Sequence, residues 1–234
     1  MPLPPPLTLS NSLYSGSGNI FVMADHREGG SMPDVGDADG IIVLEKPDFT
    51  MRTINRDGSE AKMCGNGLRC LIQFLIDLGI HRDVYHVNTL SGQLQGWAEN
   101  NEIVVTLPKP SPIEQIKVDD YTFFFLTVGV PHAVCFEPID DFIAFGQKYV
   151  AHPAFGPAGT NVNHATIQGG ILHVRTFERG VGKETGACGT GCCASAIASK
   201  LPSPIRVLTY SEEILTLTLS PLTLRGKVSI IGSL

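Results

Sequence analysis

Residues 58–67 read GSEAKMCGNG and residues 182–191 read GKETGACGTG, so the pattern E-x-x-x-C-G-x-G occurs twice in the chain. Each copy is followed by a run with apolar residues at helical spacing, residues 68–76 and 192–200. The repeat therefore predicts two helices in equivalent positions, each beginning beside a cysteine. A duplicated unit in a chain of 234 residues favours two domains, each long enough to bury its own core.

Short apolar segments bounded by Gly, Asp or Pro make up much of the remaining chain, and several of them alternate with a period of two. This pattern predicts strands that belong to sheets with one covered face. The predicted strands are residues 20–23, 41–44, 103–107, 123–128, 171–177, 214–219 and 227–231. The sequence thus predicts an α+β fold with many strands and few helices.

Three prolines within residues 108–112 mark the best candidate for a linker, because proline fits the interior of neither a helix nor a strand. We expect a domain boundary near residue 118. The first domain would comprise residues 1–118, together with a C-terminal strand at about residues 222–234, and would carry Cys64. The second domain would comprise residues 119–221 and would carry Cys188.

Composition argues against several classes of function. A net charge of −6 disfavours a nucleic-acid surface, and no apolar stretch approaches the ~18 residues of a membrane helix. The opening residues, MPLPPP, lack the basic and apolar regions of a secretory signal, and their prolines predict a stiff, extended lead-in. We therefore expect a cytoplasmic protein that binds neither nucleic acid nor membrane and keeps its six cysteines as thiols.

The two repeated cysteines, Cys64 and Cys188, are candidates for acid and base catalysis. The amide groups and the macrodipole at a helix start stabilise negative charge, and a thiolate carries such a charge. The pKa of free cysteine is near about 8.5, and a helix start or cationic neighbours can lower it to roughly 3.5–7.5. Two equivalent thiols at matching helix starts predict one proton donor and one proton acceptor.

Three other interpretations compete with catalysis. Buried cysteines commonly fill space in a core, but packing alone requires neither the acidic residue nor the Gly-x-Gly of each motif. A zinc site fits poorly because Cys188, Cys192 and Cys193 lack a second matching pair, so we expect no metal. A phosphate-binding loop lacks the lysine and hydroxyl of a P-loop, so the bound anion is expected to be the α-carboxylate of an amino acid.

Residues 55–60 with 63–67, and residues 178–180 with 187–191, make the chain resemble the diaminopimelate epimerase family. Shared features in the same order are the turn at residues 16–19, the pairs 39–40 and 131–132, and the segment 160–162. The resemblance implies two pseudo-symmetric domains, each a curved, mostly antiparallel sheet around a central helix, with the active site in the cleft between them. It also implies a homodimer that uses no cofactor, neither pyridoxal phosphate nor metal.

The resemblance implies epimerisation of LL-diaminopimelate to meso-diaminopimelate, a precursor of lysine and of peptidoglycan. Cys64 and Cys188 match the pair that transfers the proton, and His132 and Glu178 match positions that tune the pKa values of the cysteines. The positions that match the substrate-binding residues are Asn19, Asn55, Gly65, Asn66, Asn161, Glu178, Arg179, Gly189 and Thr190.

Without the resemblance, each of these polar residues has an ordinary structural interpretation. Asn19, Asn55 and Asn161 are typical of turns, where asparagine tolerates the backbone geometry. Glu178 and Arg179 are typical of an exposed ion pair that contributes little. A histidine that follows a proline, such as His132, is equally typical of a packed core.

The chain departs from the family pattern at three positions, one of which would hold the distal end of the substrate. Val130 stands where the family usually has asparagine, and Ile20 and His164 also differ from the usual residues. A lost polar partner weakens discrimination against shorter substrates. The alternatives are therefore an amino-acid racemase of relaxed specificity, acting on glutamate or aspartate with the same cysteines, and a non-catalytic amino-acid-binding protein on the same scaffold.

Overall fold

The computed structural model describes residues 11–233, and the opening MPLPPP segment lies outside this range. Three α-helices are present in the described range: α1 (Gly65–Asp77), α2 (Phe142–Tyr149) and α3 (Gly189–Ser199), together with a short 3-10 turn at Pro153–Phe155. The strands are β1 (Ser12–Gly16), β2 (Asn19–Asp25), β3 (Gly40–Glu45), β4 (Phe49–Asn55), β5 (Glu60–Ala61), β6 (Tyr85–Thr89), β7 (Gly92–Glu99), β8 (Glu102–Thr106), β9 (Glu114–Val118), β10 (Tyr121–Val128), β11 (Val130–Cys135), β12 (Asn161–Gln168), β13 (Ile171–Glu178), β14 (Lys183–Thr185), β15 (Ile205–Thr209), β16 (Ile214–Leu219), β17 (Leu222–Gly226) and β18 (Ser229–Ser233). The α+β prediction with few helices is confirmed, and each predicted strand overlaps a strand of the structure.

The strand pairing of the first half recurs in the second half. β1 and β2 are antiparallel, β2 and β3 parallel, and β3 and β4 antiparallel. In the same way, β10 and β11 are antiparallel, β11 and β12 parallel, and β12 and β13 antiparallel. The parallel pair β4–β6 likewise matches the parallel pair β13–β15. The duplicated cysteine motifs are therefore part of a duplicated topology.

The two halves are joined by three antiparallel ladders. β8 of the first half pairs with β17 of the second. β9 follows β8 in the chain but pairs with β10, whereas β18 follows β17 but pairs with β1. Each half thus receives one edge strand from the other. The division into domains at residue 118, with residues 222–234 assigned to the first domain, stays a prediction.

Helices α1 and α3 are largely buried because small and apolar residues occupy most of their positions. Leu68, Leu71 and Phe74 of α1 are fully buried in the main core, which also receives Cys192 and Ala196 of α3. The predicted helices after Cys64 and Cys188 are thus confirmed. Every cysteine in the described range carries a free thiol.

Helix α2 was not predicted from the sequence, although its start carries a recognisable signal. The side chain of Asp141 accepts hydrogen bonds from the amides of Ile143 and Ala144, as an N-cap residue does. The helix packs Phe145 and Tyr149 against Phe123 of β10, with ring centroids 5.7 and 5.0 Å apart. This second, aromatic core lies in the second half and also includes Ala133 of β11 and Val162 of β12. The same two strands carry the predicted site residues His132 and Asn161.

Candidate active site

Cys64 and Cys188 are the N-cap residues of the two buried helices. The Sγ atom of Cys64 accepts a hydrogen bond from the amide of Gly67 at 3.3 Å, and that of Cys188 from Gly191 at 3.4 Å. Both residues have extended backbone dihedral angles, the usual conformation at an N-cap. Each sulfur therefore lies at the positive end of a helix, where a thiolate is stabilised.

The two helix starts lie next to each other, separated by one methyl group of Leu224. A Cβ atom added to Gly65 would lie 3.3 Å from the Cδ2 atom of Leu224, and one added to Gly189 would lie 2.9 Å from the same carbon. Asn66 also donates to the carbonyl of Ala187, the residue before Cys188, at 3.4 Å. The residues that follow the two cysteines are therefore neighbours, although they lie more than 120 positions apart in the sequence.

Asn66 is the centre of the polar contacts in the first half. Its amide nitrogen donates to Oδ1 of Asn19 at 2.7 Å, and its own oxygen accepts from the buried guanidinium of Arg69 at 2.9 Å. Asn19 in turn contacts the carboxylate of Asp39, which also accepts from the amide of Ile20. Asn19 and Asn66, both predicted as substrate-binding residues, are thus joined at the start of α1.

His132 and Thr190 form the corresponding contacts in the second half. The Nε2 atom of His132 lies 3.0 Å from Oγ1 of Thr190, and that oxygen lies 3.4 Å from Sγ of Cys188. His132 is completely buried, and this burial lowers its pKa to about 3. The imidazole is therefore neutral at physiological pH, and it touches the thiol through a hydroxyl group instead of directly.

Glu178 acts on both cysteines through its charge. Burial raises the pKa of this carboxyl group, the hydroxyl of Thr185 donates to it at 2.6 Å, and the nearby charge of Asp39 raises the pKa further. The negative charge of Glu178 in turn raises the pKa of both Cys64 and Cys188. The charge of this one carboxylate therefore opposes ionisation of both thiols.

The predicted lowering of the cysteine pKa values is wrong for the ligand-free protein. Burial raises the pKa of Cys64 to about 11 and that of Cys188 well above its usual value. The helix-start amides of Gly67 and Gly191 lower the two values, as expected, but they do not offset desolvation. Both residues are therefore thiols at neutral pH in the ligand-free protein.

Replacing Glu178 by glutamine should increase the thiolate fraction of both cysteines above the pKa of Glu178. The substitution removes a negative charge that opposes ionisation, so the pKa of each thiol falls and alkylation accelerates, by up to about tenfold. Iodoacetamide labelling followed by peptide mapping measures both sites. Glu137→Gln is the matched control, because Glu137 contacts Cys135 instead. Unchanged labelling of both sites in Glu178→Gln would contradict this role.

The remaining predicted binding residues lie around these two centres. Asn161, at the start of β12, accepts from the backbone amide of Arg179 at 2.9 Å and so fixes the turn after Glu178. The guanidinium of Arg179 is exposed and donates to the carbonyl of Ala158 at 2.7 Å. Asn55, at the exposed end of β4, donates to the hydroxyl of Ser59, and its side chain makes no hydrogen bond to any other predicted site residue.

Sequence reasoning missed three buried polar residues beside the site. Arg69 of α1 is fully buried and donates to Ser17, Asn66 and the carbonyl of Lys227. Asn163 and Thr176 are buried on the neighbouring strands β12 and β13, where their side chains hydrogen-bond to each other at 2.9 Å. A charged or amide residue inside an otherwise apolar helix or strand was the available signal.

Between residues 11 and 233, no three His, Cys, Asp or Glu side chains come together as a metal-binding group would require. None of the helices in that range is long and apolar enough to cross a membrane.

The fold is similar to that of solved structures throughout its length. A PhzF-family phenazine biosynthesis protein from Enterococcus faecalis superposes with a TM-score of 0.73 at 13% identity, covering 94% of this chain and 96% of that protein. A hydroxyproline epimerase from Agrobacterium vitis gives 0.68 at 15% identity, covering 94% and 88%. The protein thus has the α+β fold that PhzF-like proteins and this epimerase share.

Sequence comparison identifies the family within this fold class. The family model for diaminopimelate epimerase matches residues 12–111 and 124–215. Diaminopimelate epimerase of Aquifex aeolicus is 36% identical, with 88% of each chain covered, and that of Thermotoga maritima is 37% identical, with 76% and 79% covered. The chain belongs to the diaminopimelate epimerase family.

Proposed function

We propose that the protein epimerises LL-diaminopimelate to meso-diaminopimelate without a cofactor, in the biosynthesis of lysine and peptidoglycan precursors. The observation that carries this proposal is the pair of cysteine-capped helices whose starts meet at Leu224. Two thiols on opposite sides of one ligand are suited to removing a proton from one face of a carbon and returning it on the other. Family membership supplies the substrate.

In the proposed reaction, one cysteine acts as base and the other as acid. The base, as a thiolate, takes the α-proton of the substrate, and the acid, as a thiol, gives its proton to the opposite face of the same carbon. After turnover the protonation states are exchanged, so the opposite stereochemical conversion uses Cys64 and Cys188 in exchanged roles. Proton count and charge balance with no electron transfer.

The helix starts are proposed to hold the α-carboxylate. The amides near Gly65, Asn66, Gly189 and Thr190 lie at two positive helix ends, and this is where negative charge develops as the α-carbon loses its proton. Donors that are fixed before the reaction stabilise that charge without reorganisation. This arrangement lowers the barrier more than it strengthens binding of the ground state.

Glu178 is proposed to link ligand binding to ionisation of the thiols. In the ligand-free protein its charge raises the pKa of both cysteines. An α-ammonium group bound beside Glu178 offsets that charge, so the thiolate becomes more accessible once the substrate is in place. The guanidinium of Arg179 is exposed and suited to the distal carboxylate.

Stereospecific turnover of LL-diaminopimelate by the purified protein tests the proposal. We expect formation of the meso isomer without added metal or pyridoxal phosphate, in the presence of a thiol reductant, with incorporation of solvent deuterium at the α-carbon. The reaction should stop after alkylation of Cys64 and Cys188, and substrate should protect both thiols. Absence of both turnover and deuterium exchange would refute the proposal.

A second candidate, a racemase of relaxed specificity, is favoured by Val130. This residue begins β11, two positions before His132, where an apolar side chain replaces a usual amide partner. The same deuterium-exchange assay with L-glutamate and L-aspartate separates the two candidates. Exchange with these amino acids at rates comparable to diaminopimelate would support the racemase, and exchange with diaminopimelate alone would remove it.

The remaining expectations concern the assembly and its location. We propose a homodimer in the cytoplasm, with the domain division at residue 118 and a C-terminal strand that returns to the first domain. The pairing of β18 with β1 supports the return of the C-terminal strand to the first domain. Light scattering of the purified protein tests the dimer.

A further inference from the structure

The two cysteine sites are topologically equivalent but have different surroundings beneath the helix starts. In the ladder registers, Ile42 of β3 is opposite Thr53 of β4, and Asn163 of β12 is opposite Thr176 of β13. Ile42 and Asn163 are each the third residue of their strand. The second half therefore has a buried amide where the first half has an aliphatic side chain.

The neighbours of Gly67 and Gly191, the last glycines of the two motifs, show the same difference in polarity. A Cβ atom added to Gly67 would lie 2.6 Å from the Cδ1 atom of Ile42, whereas one added to Gly191 would meet Oδ1 of Asn163 and lie 2.9 Å from Oγ1 of Thr176. The third residue after each cysteine is thus packed directly against the strand below it. Beneath Cys188 the packing partner is polar.

The second half contains a continuous line of hydrogen bonds that ends at Cys188. Thr176 contacts Oδ1 of Asn163 at 2.9 Å, and Nδ2 of Asn163 lies 3.2 Å from Nδ1 of His132. Nε2 of His132 lies 3.0 Å from the hydroxyl of Thr190, which lies 3.4 Å from Sγ of Cys188. The first four residues are at most 7% exposed, so water does not compete for these groups.

Two backbone carbonyls decide which atoms along this line donate hydrogen bonds and which accept them. Nδ2 of Asn163 faces the carbonyl oxygens of Ala133 and Asn161, at 3.5 and 3.4 Å, and these oxygens only accept hydrogen bonds. The amide nitrogen must therefore lie on the side of His132, so it donates to Nδ1. A neutral imidazole whose Nδ1 accepts carries its hydrogen on Nε2, and this hydrogen is donated to Thr190.

The tautomer of His132 decides where the hydroxyl hydrogen of Thr190 goes. If Nε2 were an acceptor, the hydroxyl would donate to the histidine and have no hydrogen left for the sulfur. Because Nε2 is a donor, the oxygen of Thr190 accepts from the histidine and its hydrogen remains available to a thiolate at Cys188.

We propose that Asn163 and Thr176 are positioning residues that hold His132 with its hydrogen on Nε2 and thereby reserve the hydroxyl hydrogen of Thr190 for Cys188. Their effect on proton transfer rests on the proposed function, but their effect on the thiol does not require turnover. Phe21 takes the place of His132 in the first half, since it lies opposite the first residue of β3 as His132 lies opposite that of β12. Cys64 therefore has no such line and serves as an internal reference.

Other groups that face these residues also affect the thiol. Glu178 and Cys192 raise the pKa of Cys188, and the charge of Arg179 lowers that of His132. None of these groups is changed by a substitution at Asn163 or Thr176. The ratio of the alkylation rate of Cys188 to that of Cys64 therefore isolates the effect of the line of hydrogen bonds.

The experiment compares alkylation of Cys188 and Cys64 by iodoacetamide at one pH, quantified by peptide mapping. In Asn163→Leu, which has a similar shape but no donor, the Cys188 to Cys64 ratio should fall by at least about tenfold, because a hydrogen bond to a charged group is lost. Thr176→Val should lower the ratio by less. Thr176→Ser and the mirror variant Thr53→Val should leave it unchanged.

A double-substitution cycle shows whether Thr190 is the intermediary. In a Thr190→Val background, Asn163→Leu should produce no further change of the ratio. An unchanged ratio in both Asn163→Leu and Thr176→Val would overturn the proposal, as would equal changes at both thiols or a full effect of Asn163→Leu without the Thr190 hydroxyl. The Thr176 and Thr53 variants decide the question if Asn163→Leu does not fold. If the unsubstituted protein showed no epimerase activity, the proposed function would fail, but the labelling ratio would still test this role of Asn163 and Thr176.

Discussion

Replacing either Cys64 or Cys188 by serine should lower kcat for epimerisation by about 10²–10⁴-fold, the usual contribution of a general acid or base. A serine hydroxyl is a much weaker acid than a thiol and is not ionised to a useful extent near neutral pH. Serine is also a preferred N-cap residue, so each helix start keeps an acceptor for the amide of Gly67 or Gly191. The loss should therefore reflect chemistry and not unfolding.

The appropriate control is Cys193→Ala, since Cys193 is fully buried in α3 and its thiol makes no hydrogen bond to Cys64 or Cys188. This variant should keep the kcat of the unsubstituted protein. Calorimetric titration with substrate distinguishes catalysis from binding, because both serine variants should still bind the amino acid. Full activity in either serine variant would remove that cysteine from the mechanism.

Phe123→Ala should lower the free energy of unfolding by about 3–5 kcal/mol, the usual cost of truncating a buried phenylalanine. Phe123 is fully buried, and its ring centroid lies 5.0–5.7 Å from those of Phe145, Tyr149 and Phe155. Removal of this ring leaves a cavity that the neighbouring rings cannot fill without moving. The expected loss is a large part of the 5–15 kcal/mol that is typical of whole proteins.

Urea denaturation followed by circular dichroism measures the change in the free energy of unfolding. With an unchanged slope of free energy against urea concentration, a lower midpoint reports lower stability. Phe124→Ala is the matched control, since the next residue of β10 is only partly buried and packs against Phe136. It should cost clearly less. Equal losses at the two positions would show that the aromatic core of the second half does not carry the stability assigned to it.

The sequence predicted the parts of the fold that depend on local pattern. The alternation of residues 171–177 and 214–219 predicted strands, and the two cysteine motifs predicted two helix starts, because both signals are contained in adjacent residues. Helix α2 was missed although Asp141 caps it, since its eight residues are too few to show a clear period.

The candidate site was predictable where a motif names its residues, and less so where a contact crosses the fold. The contact between Asn66 and Ala187 joins positions 121 residues apart, and no local pattern reports it. The raised pKa values of Cys64 and Cys188 follow from burial, whereas the sequence showed only the helix starts. No role for Asn163 could be predicted from the sequence, because that role depends on which residues of other strands contact its side chain.

The exchange of β9 and β18 between the halves has a consequence for synthesis of the chain on the ribosome. β1 leaves the ribosome more than 200 residues before its second neighbour, β18. The edge of the first half is thus left without this partner until β18 has been translated, and such an edge invites pairing with other chains. A nascent copy of this protein therefore has most need of protection by chaperones in the interval between these two strands.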